Sequence, residues 1–327
     1  MAKLIFGLGT SHSPMLSTPA DVWHLHAERD QKNPELHFRG QVYNFARLKQ
    51  ARASEQLERH LSEEIWRSKE QGCRRAITTL AERLAAAPPD AVVIVGDDQH
   101  ELFREDNMPA LSIFWGERIE CIPLVTKESH PSLMLARRDQ FGEEREWYPV
   151  ASELGRYLVE QTVAAGFDMA QFSRQPEERT IGHAFTFVRR RIMGQKALPI
   201  VPVLLNTYYP PNQPTAARCY AFGRALRQAI ESWHGAKKVA VVASGGLSHF
   251  VVDENLDRTV LEAMGQRDEQ TLGRLGQELL QSGSSEIKNW IVAAGALETL
   301  NMNLIGYFPA YRSEAGTGCG LAFAEWC

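Results

Sequence analysis

Ala91-Val92-Val93-Ile94-Val95-Gly96-Asp97-Asp98-Gln99-His100 runs five apolar residues into a glycine and then four polar residues. An apolar run of that kind, without alternation, reads as a strand buried on both faces, in a sheet covered by helices. Working outward, Leu4–Leu8, Leu111–Trp115, Ile200–Leu205 and Val239–Ala243 read the same way. They are rich in Val, Ile, Leu or aromatics and are bounded by Gly, Pro, Asp or Ser. Longer helical patterns lie between them. These are Ala51–Ala87 (interrupted near Gly72 and stopped by Pro88-Pro89), Ala151–Ala165, Ala216–His234, Asn255–Leu280 and Glu286–Leu300. The mixture predicts an α/β fold: one domain over residues 1–327, with a central mixed sheet, largely buried, and helices on both faces.

Composition bounds the function. The chain has 327 residues, enough for a large core without disulfides. Its formal charge of −4 excludes a strongly basic nucleic-acid binder but leaves room for a local anion site. No apolar run approaches the roughly 20 residues of a membrane span, and the opening MAKLIFGLGTSHSP lacks the features of a signal peptide. A cytoplasmic protein without membrane or nucleic-acid partners is expected. Cys73, Cys121, Cys219, Cys319 and Cys327 are scattered and form no CxxC, which argues for buried thiols and against a disulfide framework or cysteine zinc site. Residues 19–53 carry Trp23, His24, His26, His37 and Tyr43 with weak periodicity. They read as a lid-like insertion over the surface, with His24 and His26 a surface pair.

Each strand is followed by polar residues. Thr10-Ser11-His12-Ser13 follows the first, Asp97-Asp98-Gln99-His100 the second, Asn206-Thr207-Tyr208-Tyr209 the fourth, and Ser244-Gly245-Gly246-Leu247-Ser248-His249 the fifth. Open α/β sheets bind ligands beyond the carboxyl ends of their strands, so these groups are expected to converge. His183 sits in Gly182-His183-Ala184-Phe185, and Glu286 follows Ser284-Ser285 at the start of a helical pattern. Taken singly, a strand-end histidine or an acid in a first helical turn has an ordinary structural explanation. The combination carries the signal.

In this order, GTSHSP, DDQH, GHAFTFV, PVLLNTYYPP, SGGLSH, SSEIKNW and the C-terminal YFPAYRSEAGTGCGLAF resemble the class III extradiol ring-cleavage dioxygenases. That superfamily includes the catalytic subunit of protocatechuate 4,5-dioxygenase. The resemblance implies Fe(II) held by His12, His100 and Glu286, with Gln99 standing unusually before His100. It implies His249 as the acid–base residue and His183 lining the dioxygen and substrate pocket. Ser13, Asn206 and Arg312 are the candidate substrate contacts. The gap from His12 to His100 is longer than in the two-subunit enzymes. With no fused copy of the small subunit, the insertion is expected to cover the site, as in single-subunit enzymes similar to gallate and 3-O-methylgallate dioxygenases. A homodimer needing no small partner subunit is expected.

Two imidazoles and a carboxylate on one face of a metal suit non-haem iron, leaving positions for a catechol and dioxygen side by side. The expected reaction is extradiol cleavage of a catecholic benzoate such as gallate, 3-O-methylgallate or protocatechuate, in the breakdown of lignin-derived aromatics. Two rival readings are a zinc-dependent hydrolase, which uses similar ligands, and a non-catalytic Memo-like binding protein of the same superfamily. Gly7-x-Gly9 lacks the third glycine of a dinucleotide fingerprint, and neither a Walker motif nor GxSxG occurs.

Overall fold

The computed structural model describes residues 1–124, 130–194, 196–235 and 237–327. Its main sheet contains β1 (Lys3–Thr10), β2 (Ala91–Asp97), β3 (Leu111–Phe114), β4 (Ala170–Phe172) and β5 (Ile200–Leu205). It continues with β6 (Lys238–Ser244), β7 (His249–Val251), β8 (Met302–Tyr311) and β9 (Thr317–Trp326). The order is β7-β9-β1-β6-β2-β5-β3-β4, with β8 also paired to β9. β1, β6, β2 and β5 are mutually parallel, whereas β9 runs antiparallel to β1 and β3 antiparallel to β5. The sheet is therefore mixed, as expected, and the carboxyl ends of its four central strands share one edge.

β2 is buried along its whole length. Val93 and Val95 enter one core with Leu226 and Ile291, while Val92 and Ile94 enter the opposite core with Leu80 and Phe185. Among the helices that supply the first core are α4 (Ala216–Ser232) and α6 (Ile287–Ala296). The second is covered by α2 (Glu63–Ala86) and α3 (His183–Phe187). Ser62 caps α2 by accepting from the Ile65 N–H, and Glu63 and Glu64 complement its dipole. α4 and α6 touch backbone to backbone. A Cβ on Gly295 would stand 2.2 Å from the Tyr220 carbonyl oxygen, and one on Gly223 2.0 Å from that of Val292.

The structure trims or extends several expected elements. The helix expected over Ala51–Ala87 begins only at Glu63, because Gln56 adopts a left-handed conformation (φ 52°) between two short 3-10 turns. The helix expected over Asn255–Leu280 stops at Gln266, where Arg267 turns left-handed (φ 59°), leaving α5 as Glu254–Gln266. The β8–β9 hairpin was not expected as strands. Nor is the 19–53 segment irregular. It holds α1 (Trp23–Asp30), a hairpin of Leu36–Phe38 with Gln41–Tyr43, and a helix Phe45–Ala51. Trp23, Leu36 and Leu48 anchor it in the interior. His24 is exposed, but His26 is buried and bonded to the Thr18 hydroxyl, which corrects the reading of a surface pair. Four cysteines are buried thiols, and Cys327 is exposed. Among the described residues no helix is long and apolar enough to cross a membrane.

Candidate metal centre

The polar site is assembled where α6 meets the ends of β2 and β6. The Asn289 amide donates to Asp97 Oδ1 and to the Ser244 carbonyl, each at 2.9 Å. The Trp290 indole donates to the Gly245 carbonyl at 2.7 Å. A Cβ on Gly9 of β1 would lie 2.3 Å from the Trp290 ring, so the glycine lets α6 approach this closely. Glu286, immediately before α6, is thereby held over the strand ends.

His12, Asp97, His183 and Glu286 are all buried, and each offers a donor atom within 4.8 Å of the others. Ser244 Oγ donates to the Ala184 carbonyl at 2.7 Å and lies 3.0 Å from His12 Nδ1. Its single proton is thus engaged, so His12 donates from Nδ1 and keeps a lone pair on Nε2. That Nε2 is buried without a hydrogen-bond partner, although Glu286 Oε2 is only 3.0 Å away. Two electron-rich atoms facing each other in a dry site need a cation between them. The donors fit a metal on this ground.

The other partners hold the donors in place. Glu286 Oε2 accepts from the Gly246 N–H at 2.6 Å, and Oε1 accepts from the Gln99 amide at 2.9 Å. His249 donates from Nδ1 to the Leu247 carbonyl at 2.9 Å and turns Nε2 to Glu286 Oε1 at 3.1 Å. The Glu101 carboxylate accepts from Nδ1 of His183, the arrangement that orients a metal-binding imidazole. Burial alone pushes the Glu286 carboxyl up, but the facing His249 holds it well below the usual range. Burial depresses His249, yet Glu286 raises it well above an ordinary imidazole. His183 likewise rises against burial to about 9 beside Glu101, which falls to about 2. Burial, then the nearby Glu286 charge, pushes Asp97 up. His12, Gln99, His183, His249 and Glu286 line one cavity of about 490 Å³, a volume suited to a single small aromatic molecule.

Residues 60–313 match the family described as the catalytic LigB subunit of aromatic ring-opening dioxygenase. The chain belongs to that family. It is also 31% identical over 209 residues to gallate dioxygenase from Pseudomonas putida, a match covering 57% of this chain and 57% of that enzyme. The chain thus aligns with little more than half the length of that relative.

As a LigB-family chain, it gathers some of the expected residues and leaves others out. His12, Glu286, His183 and His249 converge. His183 stands among the donors themselves and not merely along the pocket. His100 does not join the group. Its backbone is left-handed (φ 67°), and its ring stacks on Tyr209 with centroids 3.9 Å apart, while Gln99 is the residue that reaches Glu286. Ser13 lines the cavity, with its hydroxyl capping the turn Pro14–Ser17. Asn206 is not a pocket contact. Its amide bonds the Tyr209 carbonyl, the Tyr209 N–H and Asn212, so it shapes its own loop. Arg312 reaches the cavity wall, but its guanidinium is forked onto Asp30 at 2.5 and 2.9 Å, both side chains being buried. Sequence reading missed Asp97, Gln99, Glu101 and Ser244. Asp97 ends β2, and Gln99 and Glu101 flank His100, the one residue of that stretch to which the resemblance assigns a role.

Proposed function

We propose that this protein is a non-haem Fe(II) enzyme that opens the ring of a catecholic benzoate of the gallate, 3-O-methylgallate or protocatechuate type. The cleavage is extradiol and incorporates both atoms of dioxygen. The observation that carries this reading is the dry, mixed imidazole–carboxylate group at the cavity end, in a chain of the LigB family. His12, His183 and Glu286 would hold the metal, with Asp97 beside them, and His100 has no part in it.

Ferrous iron held by these residues would supply the activation of dioxygen toward a bound catechol. The rest belongs to the chain. Ser244 fixes His12 with its lone pair inward, and Glu101 does the same for His183. Leu247 pins His249 by Nδ1, so Nε2 is the atom that takes a proton from the substrate hydroxyl and later returns it. α1 contributes Arg29 and Asp30 to the cavity wall, so the 19–53 segment covers the site from within the same chain.

The test is oxygen uptake after anaerobic loading with Fe2+, with gallate, 3-O-methylgallate and protocatechuate as substrates. Uptake equal to the substrate added is expected, and Glu286→Ala should lose both metal and uptake. Zn2+-dependent ester or amide hydrolysis without oxygen uptake would replace this reading with a hydrolase. Inactivity with tight ligand binding would indicate a binding protein.

A further inference from the structure

The cavity that holds the donor group is strongly cationic elsewhere along its wall. Arg29, Lys32, Arg137 and Arg312 all line it. Asp30, the acid among them, has both carboxylate oxygens occupied by Arg312. Lys32 is exposed, whereas Arg29 is half-buried. Its side chain makes no hydrogen bond to any described residue, and its only ring contact is with Phe250, whose centroid lies 6.0 Å from Cζ. Phe250 also lines the cavity, and its ring stands 5.5 Å from that of His249. A half-buried guanidinium therefore faces the substrate cavity beside the acid–base histidine, with its planar fork of donors unfilled.

We propose that Arg29 binds a carboxylate carried by the aromatic substrate, making α1 the element that selects anionic rings over neutral ones. The proposal rests on the ring-opening reading for the substrate's aromatic part. A guanidinium fork matches a carboxylate in two parallel hydrogen bonds, and such charge-assisted pairs are strongest where water is excluded. Burial first, and Arg312 second, lower Arg29 to about 10, with the nearby Asp30 opposing them only in part. Arg312, the anchor suggested by sequence, is itself engaged by Asp30. Arg29 is a specificity residue and takes no part in oxygen chemistry.

The experiment compares gallate with pyrogallol, the same trihydroxylated ring without the carboxylate, by anaerobic calorimetry on the metal-loaded protein. Wild type should bind gallate about tenfold or more tighter than pyrogallol. Arg29→Gln should remove that preference while shifting pyrogallol by no more than about twofold. Arg29→Lys, which keeps the charge and loses the fork, should retain part of the preference. Equal weakening of both ligands, or an unchanged preference in Arg29→Gln, overturns the assignment, as does a wild type without preference. If wild type shows the preference and Arg29→Gln abolishes it, yet no oxygen is consumed, the carboxylate site stands and the ring-opening reading falls.

Discussion

His12 and His249 both point Nε2 at one carboxylate, Glu286, and their other nitrogens separate their roles. His12 is fixed by a hydroxyl whose own proton is engaged, and its inward nitrogen is left without a partner. His249 is fixed through Nδ1 by a backbone carbonyl, which leaves Nε2, 3.1 Å from Glu286 Oε1, as the atom that exchanges a proton. The first arrangement presents a lone pair to a cation, and the second stores a proton. His249→Phe should therefore leave metal content and substrate affinity intact while slowing turnover about 100-fold or more. Elemental analysis beside steady-state kinetics would check this. Turnover at the wild-type rate would end the acid–base assignment. The step from Gln99 to His100 shows where residue-level reading stops. Two adjacent polar residues follow the same strand, and a left-handed backbone decides which one faces inward.

At the scale of elements, the site depends on α6 sitting close to its neighbours. A methyl group on Gly295 would meet the Tyr220 carbonyl of α4, a backbone atom that cannot rotate away. Gly295→Ala should destabilise the fold by about 3 kcal/mol and lower Tm by several degrees. It should also weaken metal retention, because Glu286 leads directly into α6. Thermal unfolding and metal content of the variant measure both effects. An unchanged Tm would show that the helix pair is not the constraint described. These elements differ in how much the sequence disclosed. Ile200–Leu205 was read to the residue, since parallel strands buried on both faces leave uninterrupted apolar runs. β9 escaped notice for a related reason. It lies between β1, β7 and β8, and is buried along nearly its whole length, but Gly318, Cys319, Gly320, Ala322 and Ala324 interrupt its strand signal. α1 was obscured because its buried residues, Trp23, His26, Ala27 and Asp30, include two polar ones. Its Arg29 gains meaning only from the cavity above which the helix lies.

Across the whole molecule, four parallel strands bring chain segments more than 270 residues apart to one buried group, His12 from the first and Glu286 from near the end. The 19–53 segment adds cations to the wall of the same cavity. As proposed, one chain would enclose a metal, an acid–base histidine and an anion-selecting wall. The most direct test of its centre is product mass after reaction of the Fe2+-loaded protein and gallate under oxygen-18 gas. Two labelled atoms in each ring-opened product are predicted, with none formed by a Glu286→Ala variant. A metal-replete wild type that leaves the ring closed, or inserts a single labelled atom, would contradict it.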